Sequence, residues 1–228
     1  MSGRPSPGAP EPRLPRGASR YGWFVGVVLV LLIAYVTLNT ARSDGPGSTG
    51  VRAGDPMPPF AAPLATGPVD GDVNVARRSG QGPAGARPAC RVRGTGILNV
   101  CALWERGPVV LAFLATRGAR CTRELDTLDR VRAGHPGVQF AAVSIRGDRR
   151  EVRALVRRHR WGLPVGWDRD GVLANLYGVA VCPQLTYALP GGRVTATSIG
   201  EIGRAGLDGR IAALEREARA AGWRPPAR

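Results

Sequence analysis

The chain has no lysine and no C-x-x-C motif, and it is poor in histidine and aromatic side chains. Without lysine, all 32 basic residues are arginine, against 17 acids, for a formal net charge of +15. With abundant Ala, Gly, Pro and Val, this reads first as the signature of GC-rich coding. The arginines run along the whole chain and do not cluster with aromatics, which make up 6% of residues, so no nucleic-acid partner is expected. A loose attraction to anionic lipid or cell-wall polymer is compatible with the charge and unspecific. The two histidines, His135 and His159, lack metal-ligand spacing to any cysteine. That argues against a zinc site, and nothing implies a cofactor.

Charge is also missing from one long stretch. Residues 21–38 are uncharged and almost entirely apolar. As a helix they would span about 27 Å, close to the hydrocarbon thickness of a bilayer. The run is longer than the apolar core of a signal peptide, Asn39-Thr40-Ala41 is a poor cleavage site, and no cysteine follows for lipidation. An uncleaved single-pass anchor is therefore expected. Arg4, Arg13, Arg16 and Arg20 precede it against one acid, Glu11, which places the N-terminus in the cytoplasm and the rest outside. The expected organisation is a disordered basic tail over 1–20, a transmembrane helix over 21–38 and a flexible linker over 39–55. A folded domain over 56–222 follows, with a loop-rich insertion at 66–107, and a short tail over 223–228.

An even set of four cysteines in an exported chain, Cys90, Cys101, Cys121 and Cys182, suggests two disulfides with three possible pairings. Between Cys90 and Cys101, Gly94 and Gly96 supply a turn joining two extended arms. A bridge there would close a small loop and contribute about 3 kcal/mol. It can be a structural staple or a redox-active pair, and the loop-rich surroundings favour the staple.

Within the domain, Pro58-Pro59-Phe60 through Leu64 is expected as a short edge strand. Residues 109–115 form an apolar run fit for a strand buried on both faces. A short basic loop, 116–120, then leads to a helix over 121–133 with Leu125, Leu128 and Val131 on one face. His135 falls in the turn that ends it. A second buried strand is expected over 138–145. A helix capped by Asp148 and Glu151 follows, with His159 on a solvated basic face. Residues 163–167 should be extended, Asp170 could cap a short helix over 172–177, and a hairpin over 184–199 precedes a helix over 205–221. The alternation is that of a mixed sheet with helices on both faces.

Several local motifs in this order resemble the thioredoxin fold, nearest to the membrane-tethered TlpA-like thiol–disulfide oxidoreductases and the related peroxiredoxin (AhpC/TSA, redoxin) family. Gly54-Asp55-Pro56-Met57-Pro58-Pro59-Phe60 is similar to the family's opening, and Gly107-Pro108-Val109-Val110-Leu111-Ala112-Phe113 to its first core strand. Cys121-Thr122-Arg123-Glu124-Leu125 resembles the helix start, residues 168–179 the D-x-x-G…Y-G-V segment, and Cys182-Pro183 the cis-proline site. The resemblance implies an α/β thioredoxin-like domain behind one transmembrane helix.

The departures bear on activity. Cys121 falls on the second cysteine of the family motif, and Gly118 stands at the first. The Pro and Thr that precede a peroxidatic cysteine are also absent. The resemblance implies that Cys182, on the loop before the cis-proline, can reach Cys121. On that reading Cys121 is the reactive thiol and Cys182 the resolving thiol, with Pro183 and Gly118 shaping a substrate groove. Arg120 and Glu124 are auxiliary candidates, Glu124 as a proton carrier or simply as an acid of the first helical turn. Partners would be protein thiols or disulfides, or an upstream reductant. Two alternatives stay open: a redox-inactive binding or scaffold module with two structural disulfides, and an atypical peroxiredoxin-like peroxidase.

Overall fold

The structure is a computed structural model that describes residues 18–41, 49–81 and 83–225. The expected N-terminal tail up to residue 17, linker residues 42–48 and residues 226–228 lie outside the described residues. The chain divides into two compact units, 1–44 and 45–228.

The described part of the first unit is one helix, α1 (Ala18–Ala41), of 24 residues. It starts three residues ahead of the apolar run. The span Tyr21–Leu38 is long and apolar enough to cross a membrane by length and composition.

The second unit is built on a five-stranded sheet. Its strands are β3 (Val109–Ala115), β4 (Gln139–Arg146), β5 (Val165–Trp167), β6 (Gln184–Ala188) and β7 (Val194–Ile199), in the order β5-β4-β3-β6-β7. β3 runs parallel to β4, and β4 to β5, while β6 and β7 are antiparallel additions. β3 lies at the centre, which explains its unbroken apolar sequence. Side chains alternate across a strand, and here Val110, Ala112 and Leu114 enter one core while Val109, Leu111 and Phe113 enter the other. The first core also takes residues from α3 (Ala119–Val131), α4 (Arg149–His159) and α6 (Gly203–Ala220). The second takes residues from α2 (Val100–Trp104) and α5 (Val172–Leu176), with Val51, Met57 and Phe60 of the segment that enters the domain. A separate two-stranded ribbon pairs β1 (Ala61–Pro63) with β2 (Ile97–Asn99).

Most expected elements stand within two or three residues of their sequence positions. The arms of the Cys90–Cys101 loop do not. Ala89–Arg91 is a turn of 3-10 helix, and Cys101 sits in α2, where extended chain was expected. The cause is Asn99, whose side chain accepts from Ala102 N at 3.1 Å and starts the helix. Its amide also donates to the Ala89 and Val92 carbonyls, both at 2.8 Å, so one residue holds both arms. The cap of α5 is also corrected. Gly171 occupies the cap position with no side-chain bond, and Asp168, not Asp170, accepts from Leu173 N (2.9 Å) and Ala174 N (3.1 Å). Asp148 caps α4 through Glu151 N as expected.

His135 lies in the turn after α3, with its ring 3.2 Å from Glu215 of α6. His159 is not on a solvated face. It is partly buried, 2.8 Å from Asp126 and stacked on Trp161 with ring centres 4.9 Å apart.

Candidate functional site

Two cystines are present, Cys90–Cys101 and Cys121–Cys182, with Cα separations of 5.3 and 5.5 Å. The first lies with the core that contains α2 and α5, the second with the core that contains α3 and α6, so the sheet separates them. Cys101 is buried. Beside Cys90, Arg93 donates to the Cys90 carbonyl and forms two hydrogen bonds with Glu105, at 2.8 and 2.6 Å. That pairing holds the Glu105 carboxyl below its ordinary range. The surroundings are those of a tied loop.

The second cystine joins the two places where the chain leaves the end of the central sheet. β3 delivers the chain to Thr116 and Arg117, Gly118 caps α3, and Cys121 is the third helical residue. The backbone N–H groups of a first helical turn have no intrahelical partner, and they favour negative charge nearby. On the other side, Cys182 precedes Pro183 across a cis peptide bond, immediately before β6. β6 pairs with β3, Gln184 opposite Phe113, and this register sets Cys182 beside the end of β3. Sγ of Cys182 lies 3.5 Å from the Phe113 carbonyl oxygen. Cys121 and Cys182 are thus brought together by sheet register, although they are 61 residues apart.

Gly118, Glu124 and Pro183 complete the arrangement. A Cβ on residue 118 would lie 2.7 Å from Sγ of Cys121, so Gly118 leaves that side of the sulfur clear of any side chain. Cys121, Glu124, Pro183, Phe113, Leu125 and Leu185 are among the residues that line a cavity of about 10 Å³. That is roughly the room one water needs. Glu124 is 2% exposed and belongs to the second turn of α3, so it is not a first-turn acid. Its carboxylate accepts from Ile202 N (3.1 Å) and Gly203 N (3.2 Å), and so occupies the N-terminus of α6, where no cap side chain is present. The same carboxylate therefore ties α3 to α6 and borders Cys121.

The arginines stand outside this cluster. Arg120 is exposed, and Arg123 forms two hydrogen bonds with Glu201 at 3.2 and 3.1 Å, which lower the Glu201 carboxyl. Arg117 reaches Glu151 at 3.5 Å. The spacing of the sequence does not reveal that Val181 and Ile199 remain exposed next to Cys182 and Pro183; the only local signal is the apolar run of Val179 to Val181.

No protein-family model matches the chain, and no curated protein matches it. Solved structures do. A protein assigned as thiol:disulfide interchange protein DsbE from Chlorobium tepidum superposes with a TM-score of 0.56 at 19% identity, over 72% of this chain and 98% of that one. The thioredoxin domain of a thiol-disulfide oxidoreductase from Bacteroides vulgatus gives 0.52 at 11% identity, over 72% and 98%. Peroxidoxin BcpB from Mycobacterium tuberculosis gives 0.50 at 17% identity, over 76% and 97%. At these identities the likeness is one of architecture. The second unit of this chain has the thioredoxin fold, with a cystine between the start of α3 and the cis-proline loop.

Proposed function

We propose that the chain is a membrane-tethered thiol–disulfide oxidoreductase, with its thioredoxin-fold domain outside the cytoplasm and Cys121 and Cys182 as its redox pair. The observation that carries this reading is the position of the second cystine. One sulfur is on the first turn of α3, the other on the residue before the cis-proline, and the Cα atoms are 5.5 Å apart. The pair can pass between disulfide and dithiol without rebuilding the core, since both residues are at element ends. The neighbours of known structure support the reaction class, several being named as thiol–disulfide oxidoreductases. The apolar helix and the arginines before it support the tether and its orientation.

Glu124 is the group suited to hold or release a proton at Cys121, through the small space that both border. Gly118 and Pro183 shape the approach to the sulfurs, and Arg120 adds positive charge at the rim. The Cys90–Cys101 bridge is the structural one. Partners are protein dithiols or disulfides.

The test is the reduction potential of each bridge in the full chain, measured in glutathione buffers with alkylation and mass analysis. Structural bridges lie below roughly −300 mV, whereas oxidoreductases lie between about −270 and −120 mV. The expectation is that Cys121–Cys182 opens in the second range while Cys90–Cys101 stays closed. A Cys121–Cys182 potential below about −300 mV contradicts the reading and leaves the scaffold module.

A further inference from the structure

The two sulfurs of the Cys121–Cys182 bridge differ in what they face. Cys121 is 4% exposed, within the core beneath α3, while Cys182 is only partly buried at the edge of that core. Among the described residues of the second unit, only Val181 and Ile199 are large apolar side chains left exposed, at 52% and 44%. Both flank Cys182. Val181 precedes it in the chain. Ile199 pairs across the sheet with Gln184, and Gly200 N donates to the Pro183 carbonyl at 2.8 Å. The two exposed large apolar side chains of this unit thus lie on the cis-proline loop and on the strand end paired beside it, so a partner segment that reaches Cys182 has apolar side chains to meet.

We propose that Cys182 is the sulfur that forms the mixed disulfide with a protein partner, and that Cys121 is the leaving and resolving sulfur. The inference rests on the redox reading above, and it exchanges the two roles expected from the sequence. A partner thiolate attacks Sγ of Cys182 and forms a partner–Cys182 bond. The Cys121–Cys182 bond breaks, and its electron pair departs on Sγ of Cys121. There the unpaired N–H groups of the first turn of α3 face the developing charge and offset part of the cost of forming it at a buried sulfur. A second thiolate of the partner then attacks the partner's own bonded sulfur, which closes the partner disulfide and releases Cys182. The partner dithiol loses two electrons and two protons, and the protein disulfide gains both. In the opposite direction Cys182 attacks a partner disulfide, and Cys121 displaces the partner from it. The position usually held by the attacking cysteine is Gly118, and the less buried cysteine comes instead from the cis-proline loop.

Cleavage after arginine places the two residues in different peptides, Cys121 in 121–123 and Cys182 in 170–193. The full chain in detergent is incubated with reduced glutathione, trapped with N-ethylmaleimide at low pH and then cleaved. Glutathione should be found on peptide 170–193 at least about ten times more often than on 121–123. In parallel, with oxidised glutathione as the disulfide that the lone thiol attacks and reduced glutathione as the leaving group, Cys121→Ser should accumulate a lasting glutathione adduct on Cys182, while Cys182→Ser should react more than about ten times more slowly until it is unfolded. Adduct mainly on 121–123, or faster reaction of Cys182→Ser, overturns this order while the redox reading stands. A wild-type bridge that stays closed, with no adduct on either peptide, overturns both. If a serine variant does not fold, the wild-type peptide ratio decides alone.

Discussion

Where a dithiol motif would carry its first cysteine, this chain has a glycine whose missing Cβ would sit 2.7 Å from Sγ of Cys121. Across a disulfide, with an S–S bond of about 2.05 Å, a Cβ is about 3 Å from the far sulfur. A thiol introduced at residue 118 is therefore in position to compete with Cys182. We expect Gly118→Cys to divert Cys121 into a bridge with the new thiol, leaving Cys182 open to alkylation. Peptide mapping after labelling of the folded protein checks this, and it fails if the Cys121–Cys182 bridge persists while the new thiol takes the label. The sequence already implied this vacancy, because counting from Phe113 shows which motif position is empty. It did not show what Glu124 does. Its two backbone partners, Ile202 and Gly203, are 78 and 79 residues further on. No local spacing encodes a carboxylate that serves the N-terminus of another helix.

The secondary-structure elements were more legible than their ends. β3 and β4 announce themselves by apolar runs, because both faces of each are covered, and α4 by Asp148 and Glu151. The motif pieces that suggested the fold also meet in space. Tyr177, of the Y-G-V segment, donates from its hydroxyl to the Pro58 carbonyl at 2.6 Å and packs edge-on against Phe60, of the opening segment. By contrast, α2 was missed because five residues are too few to show a helical period, and α5 was assigned the wrong cap. Asp168 reaches past Gly171 to the N–H groups of Leu173 and Ala174 from a buried position. Burial raises its carboxyl above the unfolded value of 3.8, and the backbone N–H groups of Ala174, Leu173 and Val172 only partly offset this. A raised folded value means that the folded state binds the proton more tightly. The associated stability is then complete below pH 3.8 and lost as pH rises through the higher folded value. Asp168→Asn keeps an acceptor for the helix without the charge. The stability difference between variant and wild type, from urea unfolding, should therefore move in the variant's favour as pH rises from about 3.5 to 7. A difference that is flat with pH would falsify the assignment.

The whole molecule couples its redox state to its fold through the length of chain that the second bridge closes. Cys121 and Cys182 are 61 residues apart and enclose β4, α4, β5 and α5, whereas Cys90 and Cys101 are 11 apart. On the chain-entropy estimate, closing these loops restricts the unfolded state by about 4 and about 3 kcal/mol respectively. A bridge that serves only as a brace delivers this as extra stability of the oxidised fold. A bridge that must open under a partner thiol cannot, because stability conferred by the bridge and resistance to reduction are two sides of one thermodynamic cycle, with about 1.4 kcal/mol for every 30 mV. On the proposed reading the dithiol form is stabilised instead, with the N-terminus of α3 beside Cys121 and the Phe113 carbonyl, 3.5 Å from Sγ of Cys182, as the groups available to do so. We therefore expect selective opening of Cys121–Cys182 to lower the unfolding free energy of the chain by clearly less than about 4 kcal/mol. Breaking Cys90–Cys101 by paired Cys→Ser changes should cost about 3 kcal/mol or more, since nothing there compensates the open state. Denaturant unfolding of the oxidised, selectively reduced and doubly substituted forms in one detergent measures both quantities. A loss of about 4 kcal/mol or more on opening the Cys121–Cys182 bridge would assign it to holding the domain together, and the thioredoxin fold would then act as a binding surface without redox exchange.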